Sequence, residues 1–149
     1  MPWRRSASGP VSIRPHGLRG GAADQEPLHQ VAAVGLDPGE ILRVVQEREQ
    51  VLSTGIGNGV ALPHGKSDAC SELAIAAGVT RDPIEFDALD AEPVRLVFLL
   101  VGPESAAGAH VKALSRISRM VRQPPVRQRL MDATDAGSFL EVLREADAA

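Results

Sequence analysis

The run Val94-Arg95-Leu96-Val97-Phe98-Leu99-Leu100-Val101 is apolar at every position but Arg95, and it constrains the fold more than any other stretch. A strand wet on one face alternates polar and apolar residues, whereas a strand covered on both faces reads as a continuous apolar run. Val94 to Val101 is therefore expected to be an interior strand, and a central sheet is implied. It is short and flanked by charge, while a bilayer span takes about 20 apolar residues, so no direct membrane insertion is expected.

Helical spacing supplies the covering layers. His110 to Val121 carries Val111, Leu114, Ile117, Met120 and Val121 at helical intervals, and Pro124-Pro125 stops it. Two shorter helices are expected over about Val126 to Asp132 and Ser138 to Ala146. Upstream, Asp37 can cap a helix with Pro38 in its first turn and Glu40 at capping-box spacing. That helix ends near Gln50. Ile41, Leu42, Val44 and Val45 mark its buried face, and Arg43, Gln46, Glu47, Glu49 and Gln50 are mostly suited to water. Leu73 to Val79 reads as a strand and Ile84 to Phe86 as a short extended piece. The result is an α/β layered domain with helices over both faces of the sheet.

Its 149 residues suit one domain. Met1 to Gln25 is rich in Arg, Gly, Ser and Pro, and only Val11-Ser12-Ile13 alternates like a strand. Residues 1–10 are expected to be a mobile tail and 11–149 the domain, with a short helix over about Pro27 to Val34. A net charge of −3 argues against a nucleic-acid partner. The single cysteine, Cys70, excludes an internal disulfide and is assigned no role. With no apolar stretch of the secretory kind near the N-terminus, a cytoplasmic location is expected.

Ser53 to Gly65 holds four glycines and one proline, a density expected to give an irregular turn system rather than a regular element. Glycines let successive backbone N–H groups converge, and such a concave row with nearby hydroxyls accepts an anion such as phosphate. Ser53, Thr54, Gly55, Gly57 and Gly59 are the candidate phosphate-binding residues. Pro63 restricts Leu62, and Gly65 removes steric cover on the other side, so His64 is expected to be presented from a stiff, open turn. Neutral imidazole is a good nucleophile near pH 7, and phosphoryl transfer asks a protein mainly for alignment and charge stabilisation. Arg48, just before the loop, can bond that phosphate or orient a loop carbonyl. His110, opening the later helix, can donate to the same oxygens.

Singly, each feature has a plainer explanation. A Gly-rich turn can be only a loop, and this one matches neither the P-loop nor the dinucleotide fingerprint. Arg48 between Glu47 and Glu49 reads as a solvated face, and lone histidines such as His16 and His29 as surface or capping residues. The four histidines and one cysteine lack zinc-ligand spacing, so no metal is expected. A serine hydrolase lacks its G-x-S-x-G elbow.

Taken together, Arg48-Glu49 and the run from Ser53 to Gly65 resemble the active-site signature of the fructose, mannitol and nitrogen-regulatory class of enzyme IIA, in the bacterial phosphoenolpyruvate-dependent phosphotransferase system. Ile84 to Asp90, Val94 to Val101 with Pro103 after it, and His110-Val111-Lys112-Ala113-Leu114 agree, so the similarity covers about Leu28 to Leu143. The resemblance implies a mixed sheet sandwiched by helices and no cofactor. It also implies that His64 takes phosphate from phospho-HPr and passes it to an enzyme IIB partner, with His110 as the second active-site histidine and Arg48 supporting the phosphorylated loop. The family usually has a strand and two longer helices before the arginine, where this chain is Gly-rich and irregular.

Two roles follow. One is a carrier for sugar uptake; the other is a nitrogen-type regulator whose phosphorylation state sets its affinity for transporters or sensor kinases, toward which Ser53 to Gly59 tilts. HPr docking needs an exposed apolar patch. Ile56, Val60 and Leu62 are candidates, although Val60 and Leu62 suit the core equally well.

Overall fold

A computed structural model describes residues 38–148 apart from Asp87. The expected tail, the strand at Val11 and the helix at Pro27, like His16, His29 and Asp37, lie outside the described residues. The first helix, α1, spans Pro38–Val51, one residue past the expected end. Ile41, Val44 and Val45 are buried on one side of it. On the other side Arg43 bridges Glu40 at 2.7 Å and Glu47 at 2.8 Å, exposed pairs worth only tenths of a kcal/mol each, on the order of 0.2–0.5.

The sheet holds β1 (Gly55–Gly57), β2 (Val60–Ala61), β3 (His64–Lys66), β4 (Ala74–Ile84) and β5 (Val94–Gly102). β5 is central, as its apolar run requires. β4 lies antiparallel along one side of it, while β2 and then β3 lie parallel along the other, and β1 pairs antiparallel with β2. The sheet is therefore mixed. β2 and β3 follow one path interrupted at Leu62-Pro63, because proline has no N–H for the ladder; its carbonyl still accepts the Leu100 N–H at 3.1 Å.

This corrects the expectation of an irregular turn system from Ser53 to Gly65. Asn58 (φ 57°) and Gly59 (φ 76°) both lie in the left-handed region, the geometry of a tight hairpin turn whose twist matches its strands. Most of the stretch is consequently sheet.

Helices cover both faces. Val97, Leu99 and Val101 of β5 face α1 and join Ile41, Val44 and Val45 in one core cluster. Leu96, Phe98 and Leu100 face the opposite layer with Ile117, Met120, Leu130 and Leu143. Each such side chain contributes about 1.5–3 kcal/mol through its removal from water. That second layer is α2 (Ala107–Val121), α3 (Pro124–Asp132) and α4 (Ala136–Ala148), with a 3₁₀ turn at Glu104–Ala106 leading into α2. α2 starts three residues before the expected His110, because small residues Ala107 to Ala109 continue the turn as helix. α3 starts at Pro124 rather than Val126, since proline suits the first helical turn. Arg116 of α2 pairs with Asp147 of α4, its Nε at 2.8 Å from the carboxylate. No described helix is long and apolar enough to cross a membrane.

Candidate active site

The fold brings two histidines together near the carboxyl end of β5. His64 opens β3 opposite Leu100. β5 then ends at Gly102, and the 3₁₀ turn carries the chain back so that His110 falls in the first turn of α2. The two rings lie 5.3 Å apart, centroid to centroid, inclined by 64°.

Their surroundings differ. His64 is half-buried, and its Nδ1 lies 2.7 Å from the Leu62 carbonyl oxygen. A carbonyl can only accept, so Nδ1 carries a proton, and in the neutral ring the lone pair is therefore on Nε2. His110 is buried, and neither ring nitrogen has a hydrogen-bond partner among the described residues. Burial holds its pKa below the ordinary imidazole value, with the nearby His64 and Lys66 acting in the same direction. The ring is thereby kept neutral, with one donor and one acceptor unspent. Lys66 reaches Glu104 at 3.4 Å, but both are largely exposed, so the pair contributes little.

The end of α1 grips the loop that leads to His64. Arg48 Nη1 donates to the Leu52 carbonyl at 2.8 Å. Of the two functions expected for Arg48, orienting a loop carbonyl is the one seen; no bond or ring contact joins it to either histidine among the described residues. Glu49, expected to face water, is half-buried and accepts from Thr54 twice, at 2.9 Å from the backbone N–H and 2.5 Å from the hydroxyl. Sequence reasoning missed this bond. A signal for it existed: an acid in the last turn of a helix opposes the helix dipole, so it needs a partner elsewhere.

The two hydroxyls of the expected phosphate cradle are engaged in hydrogen bonds within the chain. The Thr54 hydroxyl donates to Glu49, and the Ser53 hydroxyl donates to the Phe86 carbonyl at 2.6 Å while accepting from Gly55 N–H at 3.2 Å. Both bonds shape the loop. The glycines serve packing and turning. A Cβ on Gly55 would stand 2.7 Å from Ala88 Cβ, and Gly57 and Gly59 back onto Asp90 and Met131 with positive φ. Gly65 does not open the turn either, because a Cβ there would lie 2.7 Å from Val44 Cγ2. It admits α1 against β3 and so stiffens the segment beside His64.

Val60 and Leu62 are core residues at 1% and 5% exposure, whereas Ile56 reaches the surface at 37%. Val51, Leu52, Leu89 and Val111 are the other large apolar side chains exposed among the described residues. Among those same residues no group of three or more His, Cys, Asp or Glu is placed to hold a metal ion.

A mixed sheet between helix layers, with paired histidines at its end, defines an enzyme IIA-like domain. Residues 29–146 match the family model described as phosphoenolpyruvate-dependent sugar phosphotransferase system, EIIA 2, and the chain belongs to that family. It is 36% identical over 125 residues to a nitrogen regulatory protein of Bradyrhizobium diazoefficiens, covering 80% of this chain and 81% of that one. It is 34% identical over 103 residues to the fructose-specific EIIABC component of Bacillus subtilis, covering 69% of this chain but 16% of that protein's length. The crystal structure of nitrogen regulatory protein IIA-Ntr from Neisseria meningitidis superposes with a TM-score of 0.77 at 30% identity, covering 90% of this chain and 88% of that one. Relatives thus carry both sugar-specific and nitrogen-regulatory names.

Proposed function

We propose that this chain is a phosphohistidine carrier whose reacting atom is Nε2 of His64. The observation that carries this reading is the Nδ1 contact to the Leu62 carbonyl, which leaves Nε2 unprotonated 5.3 Å, ring to ring, from an unpartnered His110. The Nε2 lone pair attacks phosphorus on the phosphohistidine of HPr. The new N–P bond forms as the donor's N–P bond breaks, and the donor nitrogen keeps the electron pair. Positive charge developing on the His64 ring is met by the Leu62 carbonyl at Nδ1–H.

His110 supplies an N–H to a phosphoryl oxygen. Leaving a buried donor unpartnered costs about 1–3 kcal/mol, a cost that the incoming phosphoryl group relieves. The anion also draws the His110 pKa upward, opposing the effect of burial. From His64 the phosphoryl group passes to an enzyme IIB thiol, or it stays there and sets the affinity for a regulated protein.

A specific observation favours the second branch. The solved nitrogen regulatory IIA-Ntr superposes with a TM-score of 0.77 at 30% identity, whereas a solved mannitol IIA superposes at 0.65 and 21%. We therefore read the nitrogen-type role, in which phosphorylation of His64 tunes binding to a target protein, as the stronger of the two.

The test is transfer of ³²P from phosphoenolpyruvate in the presence of enzyme I and HPr. Acid-labile, alkali-stable label on the wild type and none on His64→Ala is the expected result. An unlabelled wild type would contradict the carrier reading. A pull-down with phosphorylated and unphosphorylated protein then separates the branches: phosphate-dependent capture of a protein other than enzyme IIB supports regulation, and capture of enzyme IIB alone supports sugar uptake.

A further inference from the structure

Glu49 stands in the last turn of α1, and a continuous series of hydrogen bonds runs from its carboxylate to the His64 ring. Its two oxygens accept the Thr54 N–H at 2.9 Å and the Thr54 hydroxyl at 2.5 Å. The carbonyl of the same threonine accepts the Leu62 N–H at 3.0 Å. The Leu62 carbonyl accepts Nδ1–H of His64 at 2.7 Å. We propose that Glu49 is a positioning residue for phosphoryl transfer: it holds Thr54, and through Thr54 the Leu62 peptide units, so that His64 keeps its proton on Nδ1 and presents Nε2. The inference rests on the carrier reading of His64.

Helix stability alone does not account for a carboxylate at this place. The last turn of a helix carries partial negative charge, and an acid there is unfavourable unless something else engages it. Here Thr54 engages both oxygens, in charge-assisted bonds that are shorter and more directional than neutral ones. The grip also starts from a rigid base. Ile41, Val44 and Val45 fix α1 in the core, and Val44 closes on Gly65. α1 therefore controls the backbone on both sides of the reacting residue, Gly65 by packing and Leu62, two residues before it, by way of Glu49 and Thr54. Free imidazole exchanges between tautomers, so the proton's place on His64 depends on how well the Leu62 carbonyl is held.

The test reads the ring before any phosphate is present. Protein labelled with ¹⁵N-histidine is examined by long-range ¹H–¹⁵N spectroscopy at about pH 8, where imidazole is neutral. The wild type is expected to show a protonated Nδ1 and a bare Nε2 on His64. Glu49→Ala should mix the tautomers and slow phosphorylation by HPr roughly ten- to hundredfold, the scale on which small misplacements of reacting groups act. Glu49→Gln, which keeps an acceptor for the Thr54 N–H, should fall between. Glu47→Ala, on the exposed face of the same helix, should match the wild type. Wild-type spectra and rate for Glu49→Ala would overturn the proposal. If that variant does not fold, Thr54→Val removes only the hydroxyl arm; a smaller shift in the same direction supports the proposal, and an unchanged ring contradicts it. A wild type that takes no label would remove the carrier reading, and with it the transfer role of Glu49, while the spectra still decide whether Glu49 sets the ring.

Discussion

His64 and His110 are neighbours held in opposite ways. His64 sits at the end of a series of directional bonds from α1, half-exposed, with one ring nitrogen already engaged. His110 is placed by packing alone among the described residues, buried, with both ring nitrogens free. A nucleophile needs its lone pair aimed, which hydrogen bonds do well. A group that stabilises a transient anion needs unspent capacity, which isolation from other partners preserves. The difference in restraint is a division of labour.

The most severe way to break this division is to remove the aimed ring. His64→Ala should abolish phosphorylation by HPr while leaving the fold intact, as checked by label incorporation and circular dichroism. Truncating the unspent ring should do less. His110→Ala is expected to slow transfer by about 10²-fold, within the range of a lost general acid or hydrogen-bond donor, in rapid-quench measurements; an unchanged rate would remove His110 from the site. Disturbing the base of the loop comes next. Gly65→Ala places a methyl 2.7 Å from Val44 Cγ2 and 3.0 Å from the Val44 carbonyl carbon, and should cost about 1–3 kcal/mol of stability in urea denaturation.

A pH series sharpens the comparison with a smaller effect. The folded pKa of His110 lies below its ordinary value, so under acidic conditions the unfolded chain binds a proton that the folded chain resists. Its contribution to stability is present above about pH 6.5, the unfolded value, and is lost as pH falls from there toward the folded pKa. Between about pH 7 and pH 5 the melting temperature should therefore drop, and His110→Asn, which does not titrate, should drop less. An equal slope in both proteins would contradict the role of burial.

Much of the scaffold is legible in the chain. Val94 to Val101 announces a central strand because both of its faces meet apolar layers, and Pro38 with Glu40 announces α1 because those residues satisfy a helix start. The glycine stretch misleads. Its density reads as loop, yet Asn58-Gly59 is itself a hairpin signal, and its outweighing by the surrounding glycines hid β1 to β3. Ser53 and Thr54 read as anion ligands because hydroxyls beside glycines suit that role; only the fold shows Phe86 and Glu49 arriving to take them. Glu49 read as solvent-facing because helical periodicity says nothing of a loop that turns back on its own helix. Contacts across 33 residues, such as Ser53 to Phe86, leave no local trace.

The most direct measurement is the position of the phosphoryl group on the labelled protein, from ³¹P and long-range ¹H–¹⁵N spectra after phosphorylation by HPr. Phosphorus bonded to Nε2 of His64, with the proton still on Nδ1, is the predicted result. Phosphorus on Nδ1 of His64, or on His110, would contradict it.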